Sequence, residues 1–296
     1  MDWIQHLNKA IDYIEENLDG TISYQKIAKI AGCSVYNFQR VFSYITDKSL
    51  SEYIRSRRLT LAAFDILNTS DRIIDIAMKY GYESQDSFTR AFKSFHGISP
   101  SKVRNEPVRL KSCPKLSVQI TMRGEHHMSY QIEQWPAFKV TGIRRRIKTD
   151  QAFGQIPQMW DTAWKDGTMK LLTDLFRKTD YRPAGFIGMS IGGQQENAEE
   201  MDYIIGVTNH VEVEGCIHVP APEGMDEIQV KSATWAVLEA NGKLPDAVQN
   251  IYRQFYTEWL PNSGYQLEDM PIMECYMQEG RQEVWIAVKK SEKQLL

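Results

Sequence analysis

The chain has 296 residues, 42% hydrophobic and 25% charged, with a formal net charge of −3. That length suits two domains of ordinary size, and the composition is that of a globular protein. No stretch approaches the ~20 apolar residues of a membrane span, and Met1-Asp2-Trp3-Ile4-Gln5 is not a basic region leading into an apolar core. Cys33, Cys113, Cys216 and Cys275 are scattered with no Cys-x-x-Cys pair, which argues against a zinc site or disulfide framework and for a reducing cytoplasm.

Trp3 to Leu18 reads as an amphipathic helix, with Ile4, Leu7, Ile11, Ile14 and Leu18 at helical spacing and Asp19-Gly20 as its stop. Ser23 opens a second helix that turns Ile27, Ala28 and Ala31 inward. Gly32 precedes a third, Ser34 to Phe42, capped by Ser34. Ser49-Leu50-Ser51-Glu52 is a capping box that starts a long helix to about Leu67. Arg55, Arg57 and Arg58 lie on it, for phosphate contact or as a solvated basic face. After Gly81-Tyr82, Ser84 caps a helix whose Phe88 and Phe92 share one buried face. Ser99-Pro100 supplies the cap and first residue of a last short helix.

Shifted by 49 to 50 positions, the region matches itself: Ile27-Ala28 with Ile76-Ala77, Gly32 with Gly81, Phe38 with Phe88, Arg40 with Arg90, and Phe42 with Phe92. Each copy is a helix, a glycine turn and a second helix. Arginine and glutamine can bond bidentately to base edges in the major groove, and they fall on the outward faces of both second helices.

Together with Gly97-Ile98-Ser99-Pro100-Ser101-Lys102-Val103-Arg104, these residues resemble the DNA-binding domain of the AraC/XylS family of bacterial transcription regulators, from about Trp3 to Arg104. The resemblance implies two helix-turn-helix units on a rigid connecting helix, reading adjacent major grooves of double-stranded DNA. The DNA-facing positions it implies are Tyr36, Asn37, Gln39 and Arg40 in the first unit and Gln85, Ser87, Thr89 and Arg90 in the second. Asp86 departs from the neutral amide common in relatives. RNA polymerase is the expected further partner, and the nucleoid in the cytoplasm the expected location.

Residues 1–112 carry 16 lysines and arginines against 13 acids, and the remainder 19 against 25, so the basic end is the one expected on DNA. Residues 113–129, with Pro114, read as a linker. From 130 to 296 strand-like runs appear at Lys139–Ile147, Gly185–Ile191, Met201–Val207, Asp226–Ala240, Met270–Met277 and Glu283–Lys289. Two amphipathic helices interrupt them. One carries Ile156, Met159, Trp160, Ala163 and Trp164. The other carries Val248, Ile251, Phe255 and Trp259 and stops at Pro261. The expected fold is multi-domain: an all-α double helix-turn-helix domain, then an α+β domain of duplicated β-α-β-β units with helices on one side of an antiparallel sheet.

Trp259-Leu260-Pro261-Asn262-Ser263-Gly264-Tyr265 and Met270-Pro271-Ile272-Met273-Glu274-Cys275-Tyr276 resemble the GyrI-like effector-binding domain, over about 130–290. The resemblance places a glutamate at the position of Glu274 in a central aromatic cleft and implies a lipophilic, cationic small-molecule effector. A carboxylate in an otherwise apolar strand is costly to bury unpaired, so Glu274 either waits for a cation or faces water or an arginine such as Arg281. Trp160, Trp164, Trp235, Trp259, Tyr203 and Tyr276 are the candidate walls, through cation–π attraction. His126-His127 reads as a surface pair. No catalytic triad or phosphate-cradling loop is present, so no catalytic residue, cofactor or metal is expected. Two rivals stand beside this reading: hydrolysis of electrophilic small molecules with Glu274 as base, and a protein-docking domain with no ligand.

Overall fold

The computed structural model describes residues 3–118, 128–192, 200–277 and 280–291. His126 and His127 lie outside them. The chain forms two compact units, residues 1–32 with 46–119, and residues 33–45 with 120–296. Residues 33–45, which carry most of the helix expected to be the first DNA reader, group with the C-terminal part.

In the first unit lie α1 (Trp3–Glu16) and α2 (Tyr24–Ala31). The helix α3 (Val35–Thr46) follows in sequence and belongs almost wholly to the second unit. The first unit resumes with α4 (Leu50–Asn68), α5 (Ile73–Lys79), α6 (Gln85–His96) and α7 (Pro100–Asn105). Three serine caps form as expected: Ser23 accepts from Lys26 N, Ser49 from Glu52 N and Ser84 from Ser87 N, each at 3.2 Å, whereas Ser99 stands before Pro100 without a side-chain cap bond. Phe88 and Phe92 are fully buried with Leu59, Ala62, Ile66, Ile76 and Ala77, which locks α5 and α6 onto α4.

The α4 arginines divide. Arg57 pairs with Glu15 at 2.6 Å and donates to the Cys113 carbonyl. Arg58 donates to the Leu18 and Gly20 carbonyls, at 2.9 and 2.6 Å. Both therefore tie α4 to the end of α1, where DNA-facing or solvated roles were expected. Arg55 stays exposed. Gly81 has φ 81°, a left-handed conformation that favours glycine at this turn.

The second unit is built on strands β1 (Tyr130–Trp135), β2 (Phe138–Lys148), β3 (Phe186–Gly192), β4 (Glu200–Val211), β5 (Asp226–Val230), β6 (Ala233–Ala240), β7 (Tyr265–Leu267), β8 (Ile272–Tyr276) and β9 (Gln282–Lys290). Their order is β1-β6-β9-β8-β3-β4-β2-β5, with β7 added to β9, and each pairing is antiparallel. The duplication is plain in this order. β2-β4-β3 and β6-β9-β8 are equivalent triplets joined by β3 and β8, and the leading strand of each half pairs across into the other half. The run Asp226–Ala240 is thus two strands with different partners, broken at Lys231-Ser232.

The helices are α8 (Ala152–Lys165), α9 (Thr168–Thr179) and α10 (Asp246–Gln254). The sequence reading missed α9, which buries Met169, Leu172 and Leu175. α10 continues through a π-helical stretch, Phe255–Trp259, into a last turn that contains Pro261, so the proline lies inside the helical segment where a stop was expected. One sheet face, with Ile187, Met189, Met273, Cys275, Trp235 and Trp285, forms one core. The other face, with Met201, Tyr203, Ile205 and Val207, packs on α8 and α9. No helix among the described residues is long and apolar enough to cross a membrane.

Candidate functional site

Strand parity puts Glu274 on the helix-covered face, because its neighbours Met273 and Cys275 both enter the opposite core. Its direct partner on β3 is Gly188. The missing side chain there leaves room for the Tyr203 hydroxyl, which would lie 2.2 Å from a Cβ at 188 and accepts from the Trp160 indole at 3.0 Å. Trp160 also stands edge-on to Tyr276, with ring centroids 5.2 Å apart.

The carboxylate is only 14% exposed and fully engaged. Tyr252, one position past Ile251 on α10, donates to Oε1 at 2.9 Å, and Tyr276 donates to Oε2 at 2.8 Å. Burial pushes the Tyr252 hydroxyl well above its ordinary range. Burial, then the Glu274 charge, does the same for Tyr276, so both stay protonated donors. The cation at Glu274 is Arg40, whose Nη2 lies 3.1 Å from Oε1. Arg281, the alternative partner named from sequence, is not that cation.

Arg40 sits on α3 in an aromatic setting. Its guanidinium donates to Tyr36 Oη at 2.7 Å and to Tyr252 Oη. It lies 4.7 Å from the Tyr252 ring centroid and 5.5 Å from that of Tyr44. Tyr44 and Tyr252 stack at 4.3 Å with planes 15° apart. Tyr36 joins the cluster of Ile147, Met201 and Tyr203 and lies against Gly192, where a Cβ would be 2.8 Å from its own. The Arg253 Nε donates to the Tyr44 carbonyl at 3.4 Å. The residues thus form a carboxylate ringed by tyrosines, holding a delocalised cation.

Of the expected walls, Trp160, Tyr203 and Tyr276 are at this cleft. Trp235 is on the opposite face, against Trp285 and Phe138. Trp259 packs on Phe255, Tyr130 and Tyr265. Trp164 is 63% exposed, beside Phe186. Sequence reasoning missed Tyr252, Tyr44, Gly188 and the arrival of Arg40. Tyr252 had a readable signal, since it lies four residues after Val248 on the buried stripe of α10.

The two expected DNA-reading sets differ sharply. On α6, Gln85 and Arg90 are exposed and Ser87 and Thr89 half-buried, on a helix whose cap and Phe pair fix its free face. Asp86 is exposed beside them. On α3, Tyr36, Asn37, Gln39 and Arg40 are all buried, because the helix face expected outward packs into the cleft. Among the described residues no cluster fit to hold a metal is present.

Residues 128–289 match the model of the GyrI-like small molecule binding domain, and residues 27–106 match a helix-turn-helix domain. The multiple antibiotic resistance protein MarA of Escherichia coli K12 is 37% identical over 98 residues, which are 33% of this chain and 77% of MarA. The HTH-type transcriptional activator AarP of Providencia stuartii is 42% identical over 98 residues, 33% of this chain and 73% of AarP. A solved structure of SAV2435 bound to tetraphenylphosphonium covers 55% of this chain and 94% of its own, at 24% identity and TM-score 0.45, too distant to place side chains. The chain belongs to the AraC-type DNA-binding transcription regulators and carries a C-terminal GyrI-like small-molecule-binding domain.

Proposed function

We propose that this regulator senses a small lipophilic cation at Glu274. One observation carries the reading: a carboxylate 14% exposed, bonded by two tyrosine hydroxyls, already holds a guanidinium against the ring of Tyr252. That is the chemistry a cationic effector needs, since desolvated charge pairing and cation–π attraction reinforce one another where water is excluded. Gln85, Ser87, Thr89 and Arg90 of α6, together with Tyr36, Asn37, Gln39 and Arg40 of α3 when that helix is free, read the operator. RNA polymerase is the partner on which the regulator acts, in the cytoplasm at the nucleoid. Glu274 serves as a binding group, and no residue serves as a catalyst.

The test is tryptophan fluorescence with tetraphenylphosphonium and neutral triphenylphosphine oxide, on Arg40→Met and on Arg40→Met with Glu274→Gln, so that the Arg40 guanidinium does not compete for the carboxylate. The cation should bind Arg40→Met, and adding Glu274→Gln should cost about 2–5 kcal/mol for the cation alone. Equal affinity of both proteins for the cation would remove the charge-reading role.

A further inference from the structure

The cleft that the proposed function assigns to an effector is filled by the chain itself. Its occupant is the first recognition helix, held by four kinds of contact. Arg40 pairs with Glu274. Tyr44 stacks on Tyr252. Tyr36 fills the space above Gly192. Arg253 bonds the Tyr44 carbonyl. In this position Tyr36, Asn37, Gln39 and Arg40 are at most 8% exposed and cannot reach a base edge. The α6 residues Gln85 and Arg90 remain free to do so.

The seat is imperfect in a specific way. Among the described residues, Asn37 Oδ1, Gln39 Oε1 and Arg40 Nε are buried with no hydrogen-bond partner. Each forfeits bonds that water or DNA would supply. A helix evolved to stay would bury apolar side chains there. This one buries polar groups suited to a nucleic acid, so the seated state is strongly held at Arg40 and poorly satisfied around it.

We propose that Arg40 is the resident cation of the cleft, and that the effector acts by displacing it, which releases α3 to read DNA. The proposal rests on the cation reading of the site. It defines the effector as a competitor of an internal guanidinium: a cation with flat, apolar surface able to pair with Glu274 and lie on Tyr252. Effector and DNA then favour the same released state, so each strengthens binding of the other by the same factor. Without effector one reading head is available, and with it two.

The experiment uses the full chain, the probe tetraphenylphosphonium and a DNA site selected from a random pool. Gly192→Val is the main variant. Its added side chain collides with Tyr36 and unseats α3 while leaving Arg40, Glu274 and every α6 residue in place. Gly192→Val without probe should show faster amide exchange across residues 33–45, tighter DNA binding and a longer DNA footprint. Wild type should acquire all three on adding probe. If α3 is released only 1–10% of the time in wild type, Gly192→Val and Arg40→Met should bind the probe about 10- to 100-fold tighter. Glu274→Gln strands a buried guanidinium and should also release α3 without probe. It replaces Gly192→Val if that variant misfolds by circular dichroism.

Unchanged probe affinity in Arg40→Met, or equal protection of residues 33–45 with and without saturating probe, would overturn the displacement while leaving cation binding intact. If the probe binds neither wild type nor Arg40→Met, the cation reading fails. The seating of α3 is then judged on Gly192→Val and Glu274→Gln alone, whose DNA affinity must exceed wild type for it to stand.

Discussion

Gly188 lies directly opposite Glu274 on adjacent strands, and the volume its absent side chain leaves is occupied by the Tyr203 hydroxyl. The 3.0 Å bond from Trp160 to that hydroxyl depends on the gap. Gly188→Ala should push Tyr203 off this position and cost about 1–3 kcal/mol, as overpacking of a buried site does. Urea unfolding followed by near-ultraviolet circular dichroism measures it. Unchanged stability would show that Tyr203 repacks freely and that the cleft wall is adaptable.

Arg90 is exposed on α6. Arg90→Ala should leave the melting temperature unchanged and cost about 1–3 kcal/mol on the selected site if it is bidentate to guanine. Fluorescence anisotropy on selected and random duplexes distinguishes the roles. An equal loss on both would make Arg90 a phosphate contact.

Glu15 holds α1 to α4 through Arg57, at 2.6 Å with side chains 10% and 12% exposed, and also accepts from the Tyr53 hydroxyl at 2.6 Å. Glu15→Ala leaves a largely buried guanidinium without its partner, which costs about 3 kcal/mol. Amide exchange along α1 and α4 should accelerate by about 100-fold (1.4 kcal/mol per tenfold). A change below about threefold would mean that the Cys113 carbonyl alone satisfies Arg57.

Glu227 accepts from His218 at 2.6 Å, Lys139 at 2.7 Å and Asn209 at 2.9 Å. Burial alone would raise its pKa, but these bonds outweigh burial and hold it at about 2. A carboxylate lowered in the folded state stabilises fully above its unfolded value, about 4.3. That contribution is lost as pH falls from there through about 2, and it amounts to at most about 3 kcal/mol. Thermal melts between pH 6 and pH 2 should show wild type losing more stability than Glu227→Gln. Parallel curves would mean that Glu227 carries no linkage.

The helical third was legible because its signals are local. Ser23, Ser49 and Ser84 cap where their neighbours demand it, and Phe88 and Phe92 leave one face for a core. The doubled sheet was legible from the repeated order of strands, although β5 and β6 merged, since only their different partners separate them. Glu274 was legible as an acid in an apolar strand. Its partner was not. An outward polar face on α3 is what a helix shows whether it will meet DNA or fill a cleft, and periodicity carries no information about the surface it meets. Trp235 and Trp259 were misplaced for a related reason: composition marks a tryptophan as a possible wall, whereas strand parity and helix phase decide which side it faces.

If Glu274 holds an exchangeable cation in an aromatic cleft, a crystal structure of the full chain with tetraphenylphosphonium should show it. The phosphonium centre should lie within ~4–6 Å of the Glu274 carboxylate, the range over which opposite charges couple strongly. Its phenyl rings should rest against Tyr252 and Tyr276, with Arg40 withdrawn. Probe bound elsewhere, with Arg40 still paired to Glu274 at saturating concentration, would rule out the exchange.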